Sequence, residues 1–152
     1  MIDLGNPALP AEAVIAALGL RSHPEGGHFR ETWRDAPTDG SRGAGTAILF
    51  LLAAGEVSHW HRVDADELWI FNAGAPLRLL ISADTITVKP HIVGLPLAAA
   101  AFPHALVPRN HWQAASSLGA WTLVTCTVSP AFQFSGFELA PPGWEPGRQK
   151  TK

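Results

Sequence analysis

The sequence predicts an all-β sandwich or barrel with one short N-terminal helix, and three observations carry that expectation. From about residue 27 onward the chain is a succession of short segments rich in Val, Ile, Thr, Leu, Phe and Trp. Gly, Pro, Asn and Asp break these segments in the manner of a sandwich or barrel. Only one early stretch has the composition and stops of a helix. The third observation is size: 152 residues, 47 % hydrophobic and 16 % charged, supply one substantial core and point to one domain over 1–152.

The helix is expected within Pro10 to Gly19, in an N-terminal segment reaching to about residue 22. Pro stands at its start, Gly at its stop and helix formers lie between. Val14 and Leu18, four apart, share one face with Ile15 beside them. Strands are expected near 27–33, 46–53, 57–62, 67–72, 76–82, 85–88, 91–94, 104–108, 111–116, 120–128 and 134–139. Asn72 to Gly74 ends a strand with residues that tolerate positive φ. Ser82 to Asp84 suits a hairpin between two β-branched segments, and Asn110 in Pro108-Arg109-Asn110 suits a turn. The Ala-rich stretch 95–103, bounded by prolines, fits either a helical turn or an irregular loop. The tail, 141–152, is expected to be extended.

Composition excludes several function classes. The net charge is about −2 and no basic stripe is present, which argues against a nucleic-acid partner. No apolar run reaches the ~18 residues of a membrane span. The N-terminus lacks the basic and apolar regions of a signal peptide. The single cysteine, Cys126, has no partner for an intramolecular disulfide, so a reducing, cytoplasmic setting is expected. It lies in an apolar strand segment and reads as a small core residue.

The chemistry is concentrated between Gly55 and Gly74. His59 and His61, two apart on a strand, are expected to point to one face. Glu67 can return to that face from the next strand. Two imidazoles and one carboxylate are the ligands of an open metal site. Imidazole donors favour Fe, Mn, Ni or Zn, and Gln113 is a candidate fourth ligand through its carbonyl oxygen. A metal-free pocket in which His61 bonds Glu67 is the alternative. Trp69 and Phe71 alternate with Glu67 and are candidates for stacking on a substrate or for core packing. His23 and Glu25, beside Gly26 and Gly27, are candidates for a lid or for an edge turn. His111 has no assignable register.

These residues resemble the cupin superfamily. Gly55, His59, His61, Glu67 and Gly74 follow its first motif. Pro108 to Gln113 falls where its second motif belongs, with Asn110 in place of a Gly and Gln113 where the last His ligand stands. His23-Pro24-Glu25-Gly26-Gly27, Trp60-His61-Arg62-Val63, Asp66-Glu67-Leu68-Trp69, Trp112-Gln113 and Cys126 through Phe134 are similar to one largely uncharacterised cupin subfamily. That subfamily does not require a His at the position of His59, and it uses Trp-Gln where other cupins place a metal-binding His. The resemblance implies a double-stranded β-helix, the cupin jelly roll, and a homodimer. It also implies a small-molecule pocket at the barrel mouth holding His59, His61, Glu67 and Gln113.

Three functions stay open at this stage. One is a metal-dependent enzyme on a small polar or sugar-like substrate, with His59, His61, Glu67 and Gln113 around the metal. The second is a metal-free epimerase- or isomerase-like enzyme with His61 as base and Glu67 orienting it. Trp69, Phe71, Gln113, His23 and Glu25 would then contact substrate. The third is a non-catalytic binding module. The chain has no tyrosine, so it lacks the Tyr acid that deoxysugar epimerases of similar fold set opposite their His base.

Overall fold

The computed structural model describes residues 2–6, 8–95 and 101–148. Helix α1 spans Ala11–Leu18 and ends at Gly19, whose left-handed φ of 63° lets its N–H turn back to the carbonyl of Ala16. Twelve strands follow among the described residues: β1 Arg21–Ser22, β2 His28–Arg34, β3 Thr46–Ala53, β4 Val57–Val63, β5 Asp66–Gly74, β6 Leu77–Ser82, β7 Lys89–Val93, β8 Ala101–Phe102, β9 His104–Val107, β10 Trp112–Ser117, β11 Trp121–Ser129 and β12 Phe137–Leu139. They form two six-stranded sheets, ordered β1-β2-β3-β11-β5-β9 and β12-β4-β10-β6-β7-β8. The chain crosses repeatedly between the sheets, as the expected jelly roll requires.

Alternation along the strands places the core. Phe50, Leu52, Trp69, Val107, Val124 and Cys126 from the first sheet meet Leu77, Leu79, Ile81, Val93 and Ala115 from the second. Leu51 and Leu123 point the other way. They join Ala73 and Trp121 on the outer face of the first sheet, where Ala11 and Val14 of α1 cover them. The expected Val14 face is therefore the buried one, and Val14 is fully enclosed. The outer face of the second sheet is covered by the tail, with Trp144 against Trp60, Trp112 and Ala140.

Three segments differ from the sequence expectation. Residues 85–88 form no strand: the carboxylate of Asp84 accepts the N–H groups of Ile86 and Thr87 at 2.9 and 2.7 Å, which withdraws those donors from a ladder. The stretch 134–139 opens with a 3-10 turn, Phe134–Gly136, and only Phe137–Leu139 pairs with β4. Within 95–103, residues 96–100 lie outside the described residues, and Ala101–Phe102 form the short strand β8 beside β7. No helix among the described residues is long and apolar enough to cross a membrane.

Candidate functional site

A bulge in β4 decides which side chains enter the space between the sheets. Gln113 on β10 stands opposite His61, but Ala115, two residues on, stands opposite Ser58, three residues back. The extra residue breaks the period of two. Ser58 and His61 therefore both point inward. His59 and Trp60 fall on the outer side, where the His59 Nε2–H donates to the carbonyl of Pro141 at 3.1 Å and Trp60 packs against the tail. The expectation that His59 and His61 share a face is thereby corrected.

The residue that meets His61 comes from the loop before β2. Glu25 Oε2 lies 3.2 Å from His61 Nε2, and its other oxygen accepts the hydroxyl of Ser58 at 2.8 Å. The loop reaches this depth because Gly26, at φ 107°, lies directly against the carbonyl of Val57, and Gly27 packs on Leu51, Leu52 and Phe50. A Cβ at either glycine collides with its neighbours. The loop is stitched down by the His59 N–H to the Glu25 carbonyl at 2.8 Å. His23 turns back over the loop, its Nδ1 accepting the Glu25 N–H at 3.2 Å, and its ring meets Phe29 edge-on at 4.6 Å.

These contacts fix the tautomer of His61. Its Nδ1 faces the carbonyl of His59 at 2.7 Å. A carbonyl only accepts, so Nδ1 carries the proton and Nε2 offers its lone pair to Glu25. Burial pushes Glu25 from an ordinary 4.5 up to about 8, against the pull of the Ser58 hydroxyl. Burial also lowers His61, partly opposed by the charge of Glu67 and the His59 carbonyl. Burial, helped by the charge of His61, brings His23 down to about 4. At neutral pH Glu25 is thus largely a carboxylic acid whose O–H points at a neutral imidazole.

Glu67 is held from the opposite sheet. The indole N–H of Trp69 donates to Gln113 Oε1 at 2.7 Å, and Gln113 Nε2 donates to Glu67 Oε2 at 2.6 Å. Burial raises Glu67 to about 7. The charge of His61 opposes that rise, and the hydrogen bonds from Gln113 and Cys126 lower it further, while the charge of Glu25 adds to it. The Cys126 thiol is pushed well up by burial and by the neighbouring carboxylates, so it stays a thiol. It is buried as expected, and it also faces the pocket.

His23, Glu25, His61, Glu67 and Cys126 border a cavity of about 160 Å³. Its buried end carries His23, Glu25, His61, Glu67 and Cys126. Its walls are Phe29, Ile48, Val63, Val128, Phe132 and Phe137, and its exposed rim carries Arg21, Glu31, Arg34 and Phe134. Of the residues expected at the site, His23, Glu25, His61 and Glu67 come together here. His59 lies outside. Trp69 is fully buried core and Gln113 is fully buried behind Glu67; neither lines the cavity. Phe71 sits at the edge of the core and borders a different surface hollow. His111 stands at the surface, its Nδ1 near the Arg109 carbonyl. The partner of His61 is Glu25, where the sequence reading set Glu67. The sequence reading also missed Ser58, Arg21 and the three phenylalanines of the tail-side wall; only the bulge reveals Ser58.

The four expected metal ligands do not fit a metal as arranged. His59 is turned out, and both ends of the Gln113 amide are engaged by Trp69 and Glu67. Among the described residues no three His, Cys, Asp or Glu side chains are grouped to hold a metal ion.

Comparison with known proteins bears on the fold and the family. The family model described as Cupin superfamily (DUF985) matches residues 12–140. The chain is similar to a protein of Shewanella oneidensis at 39 % identity and a TM-score of 0.82, over 87 % of this chain and 85 % of that one. It is similar to a hypothetical protein from Leishmania major at 29 % identity and a TM-score of 0.78, over 87 % and 88 %. Oxalate decarboxylase from Bacillus subtilis shares the fold alone, at 13 % identity and a TM-score of 0.61, over 78 % of this chain and 29 % of that one. No curated protein matches the chain.

Proposed function

The chain belongs to the cupin superfamily in its DUF985 branch, and from that premise we propose that it is an acid–base enzyme of the isomerase or epimerase kind acting on a small molecule. The observation that carries the reading is the buried contact of Glu25 with His61 at 3.2 Å, at the closed end of a cavity shared with Glu67.

Two carboxyls in one pocket with raised but different proton affinities divide the roles. Glu67, at about 7, is substantially ionised near neutrality and takes a proton from substrate. Glu25, at about 8, is mostly protonated and gives one. Both values lie where general acid–base catalysis is efficient at neutral pH. His61 Nε2 faces the Glu25 carboxyl and orients it, its ring held by the His59 carbonyl; after turnover Glu67 releases its proton to solvent and Glu25 regains one from it. Gln113 and Trp69 position Glu67, and Ser58 positions Glu25. The phenylalanine walls keep bulk water from the reacting atoms. The same reading takes the protein as a cytoplasmic homodimer with a small-molecule ligand and no nucleic-acid or membrane partner.

The test is proton exchange in D₂O. Small hydroxy and oxo compounds are incubated with wild type, Glu67→Gln and His61→Asn, and C–H loss is followed by NMR. Exchange by wild type that both variants lose, with binding retained, is expected. Compounds that bind without exchanging in any protein leave a binding module and defeat the reading.

A further inference from the structure

The rim of the cavity carries a feature that the acid–base machinery does not use. Arg34 is fully engaged: Nε and Nη2 hold the two oxygens of Glu31 at 2.9 and 2.8 Å, and Nη1 donates to the Phe132 carbonyl at 2.8 Å. Its charge is offset by Glu31. Arg21 differs. Its guanidinium lies 5.3 Å over the ring of Phe29, and among the described residues it has no hydrogen bond and no ion pair. It borders the cavity and is exposed. The rim therefore presents one uncompensated positive charge with free donors.

The interior sorts a ligand along its length. The closed end holds Glu25, which keeps its proton, and Glu67, which is substantially ionised, so a carboxylate placed there meets the charge of Glu67 in a site already short of solvation. That end suits a neutral hydroxyl or carbonyl. The middle, between Phe29, Val63 and Phe137, suits a short apolar body. Size sets a further bound. An apolar cavity of about 150 Å³ takes a benzene-sized guest, so the 160 Å³ here encloses a ligand core of about six to eight heavy atoms.

We propose that this pocket takes a small hydroxy- or oxo-carboxylate, with its oxygen function at Glu25–His61, its hydrocarbon part against the phenylalanines and its carboxylate on Arg21 at the rim. This rests on the acid–base reading for the role of the closed end, while the assignment of Arg21 rests on the rim itself. The guanidinium fork matches a carboxylate in two parallel hydrogen bonds, which a lysine ammonium does not reproduce.

The experiment compares each acid with its neutral twin on the full chain. 4-Oxopentanoate, 5-hydroxypentanoate and the corresponding amides are titrated by ligand-observed NMR into wild type, Arg21→Gln and Arg21→Lys. In wild type the acids are expected to bind roughly tenfold or more tighter than the amides. Arg21→Gln abolishes that preference with amide binding unchanged, and Arg21→Lys keeps only part of it. Arg21 is exposed, so the melting temperature of each variant is expected to match wild type and to certify its fold. Equal binding of acid and amide by wild type, a preference that survives in Arg21→Gln, or no binding by either acid at millimolar concentration each overturns the proposal. Glu67→Gln separates it from the acid–base reading. An acid preference that depends on Arg21 without Glu67-dependent exchange sinks the catalytic reading and leaves the ligand class standing.

Discussion

Glu25→Gln tests the buried carboxyl directly, through stability against pH. The unfolded chain releases the Glu25 proton near 4.5, whereas the native protein holds it to about 8. Between those values the native state binds more protons, so rising pH favours unfolding. The stabilisation is complete below 4.5, declines through the window and is gone above about 8. At about 1.4 kcal/mol per pH unit it accumulates to about 5 kcal/mol, comparable to a large part of a small domain's stability. Glu67 contributes with the same sign from 4.5 to about 7. The imidazoles oppose it. His23 stays neutral in the native state down to about 4 while its unfolded counterpart protonates near 6.5, so its contribution is lost as pH falls, and lowered His61 acts alike.

The imidazoles consequently offset part of the carboxyl decline below about pH 6.5, and wild-type stability is expected to fall from about 6.5 to 8. Glutamine does not titrate, so wild type minus Glu25→Gln isolates the carboxyl. Urea unfolding followed by tryptophan fluorescence supplies both stabilities by linear extrapolation. The difference is expected to move against wild type by about 1.4 kcal/mol per pH unit across the window and to level off above it. Loss of the Glu25 charge also lets Glu67 fall, because that charge is one cause of its rise, and this deepens the trend. A difference that stays constant within about 1 kcal/mol from about pH 5 to 8 refutes the account, since it means that Glu25 ionises natively as it does in water.

Three further outcomes follow from the same contacts. Gly26→Ala forces a Cβ onto the Val57 carbonyl at a φ of 107° and is expected to cost about 3 kcal/mol or more in urea unfolding, against less than about 1 if the loop yields. Gln113→Leu leaves the Trp69 N–H and one Glu67 oxygen without partners; a loss of about 2–4 kcal/mol is expected, with the Glu67 carboxyl band in infrared titration shifted to higher pH, and an unshifted band contradicts the positioning role. His59→Ala removes only an outward bond to Pro141, so stability is expected to change by about 1 kcal/mol or less. The proton NMR titration of His61 should move slightly to higher pH, because the charge of His59 is one of the influences that lower it, and the metal content of untagged protein by elemental analysis should match wild type. Stoichiometric metal that the variant loses would return His59 to the site.

How far the sequence reaches is clearest in β4 and β5. Alternation in β5 correctly sets Trp69 on the face of Glu67, because Glu67 and Trp69 are buried while Asp66, Leu68 and Ile70 beside them are half-buried, and register follows burial. It does not tell wall from core: Trp69 lies one hydrogen bond behind Gln113, which screens it from the cavity. Alternation in β4 fails between Ser58 and His61, since the bulge depends on the pairing with β10 and on the Glu25 loop pressing against the Val57 carbonyl. Neither is local in sequence. Gly26 and Gly27 are legible as a close approach, but the backbone they approach lies some thirty residues away. The strand expected at 85–88 fails for a local reason instead, the capture of two N–H groups by Asp84.

The turned-out His59 and the Gln113 amide are two sides of one arrangement. Gln113 stands opposite His61 where the bulge begins, and its amide accepts from Trp69 while donating to Glu67. Two carboxyls in a closed pocket need positive charge nearby or protons of their own. With His59 facing the tail and both imidazoles of the pocket neutral, protons meet that need, and the proton on Glu25 faces the lone pair of His61 Nε2. A floor built this way recognises a neutral hydrogen-bonding oxygen and leaves the ligand's charge to the rim. For that reason the pH-dependence of Glu25 and the acid preference at Arg21 are independent readings of one pocket.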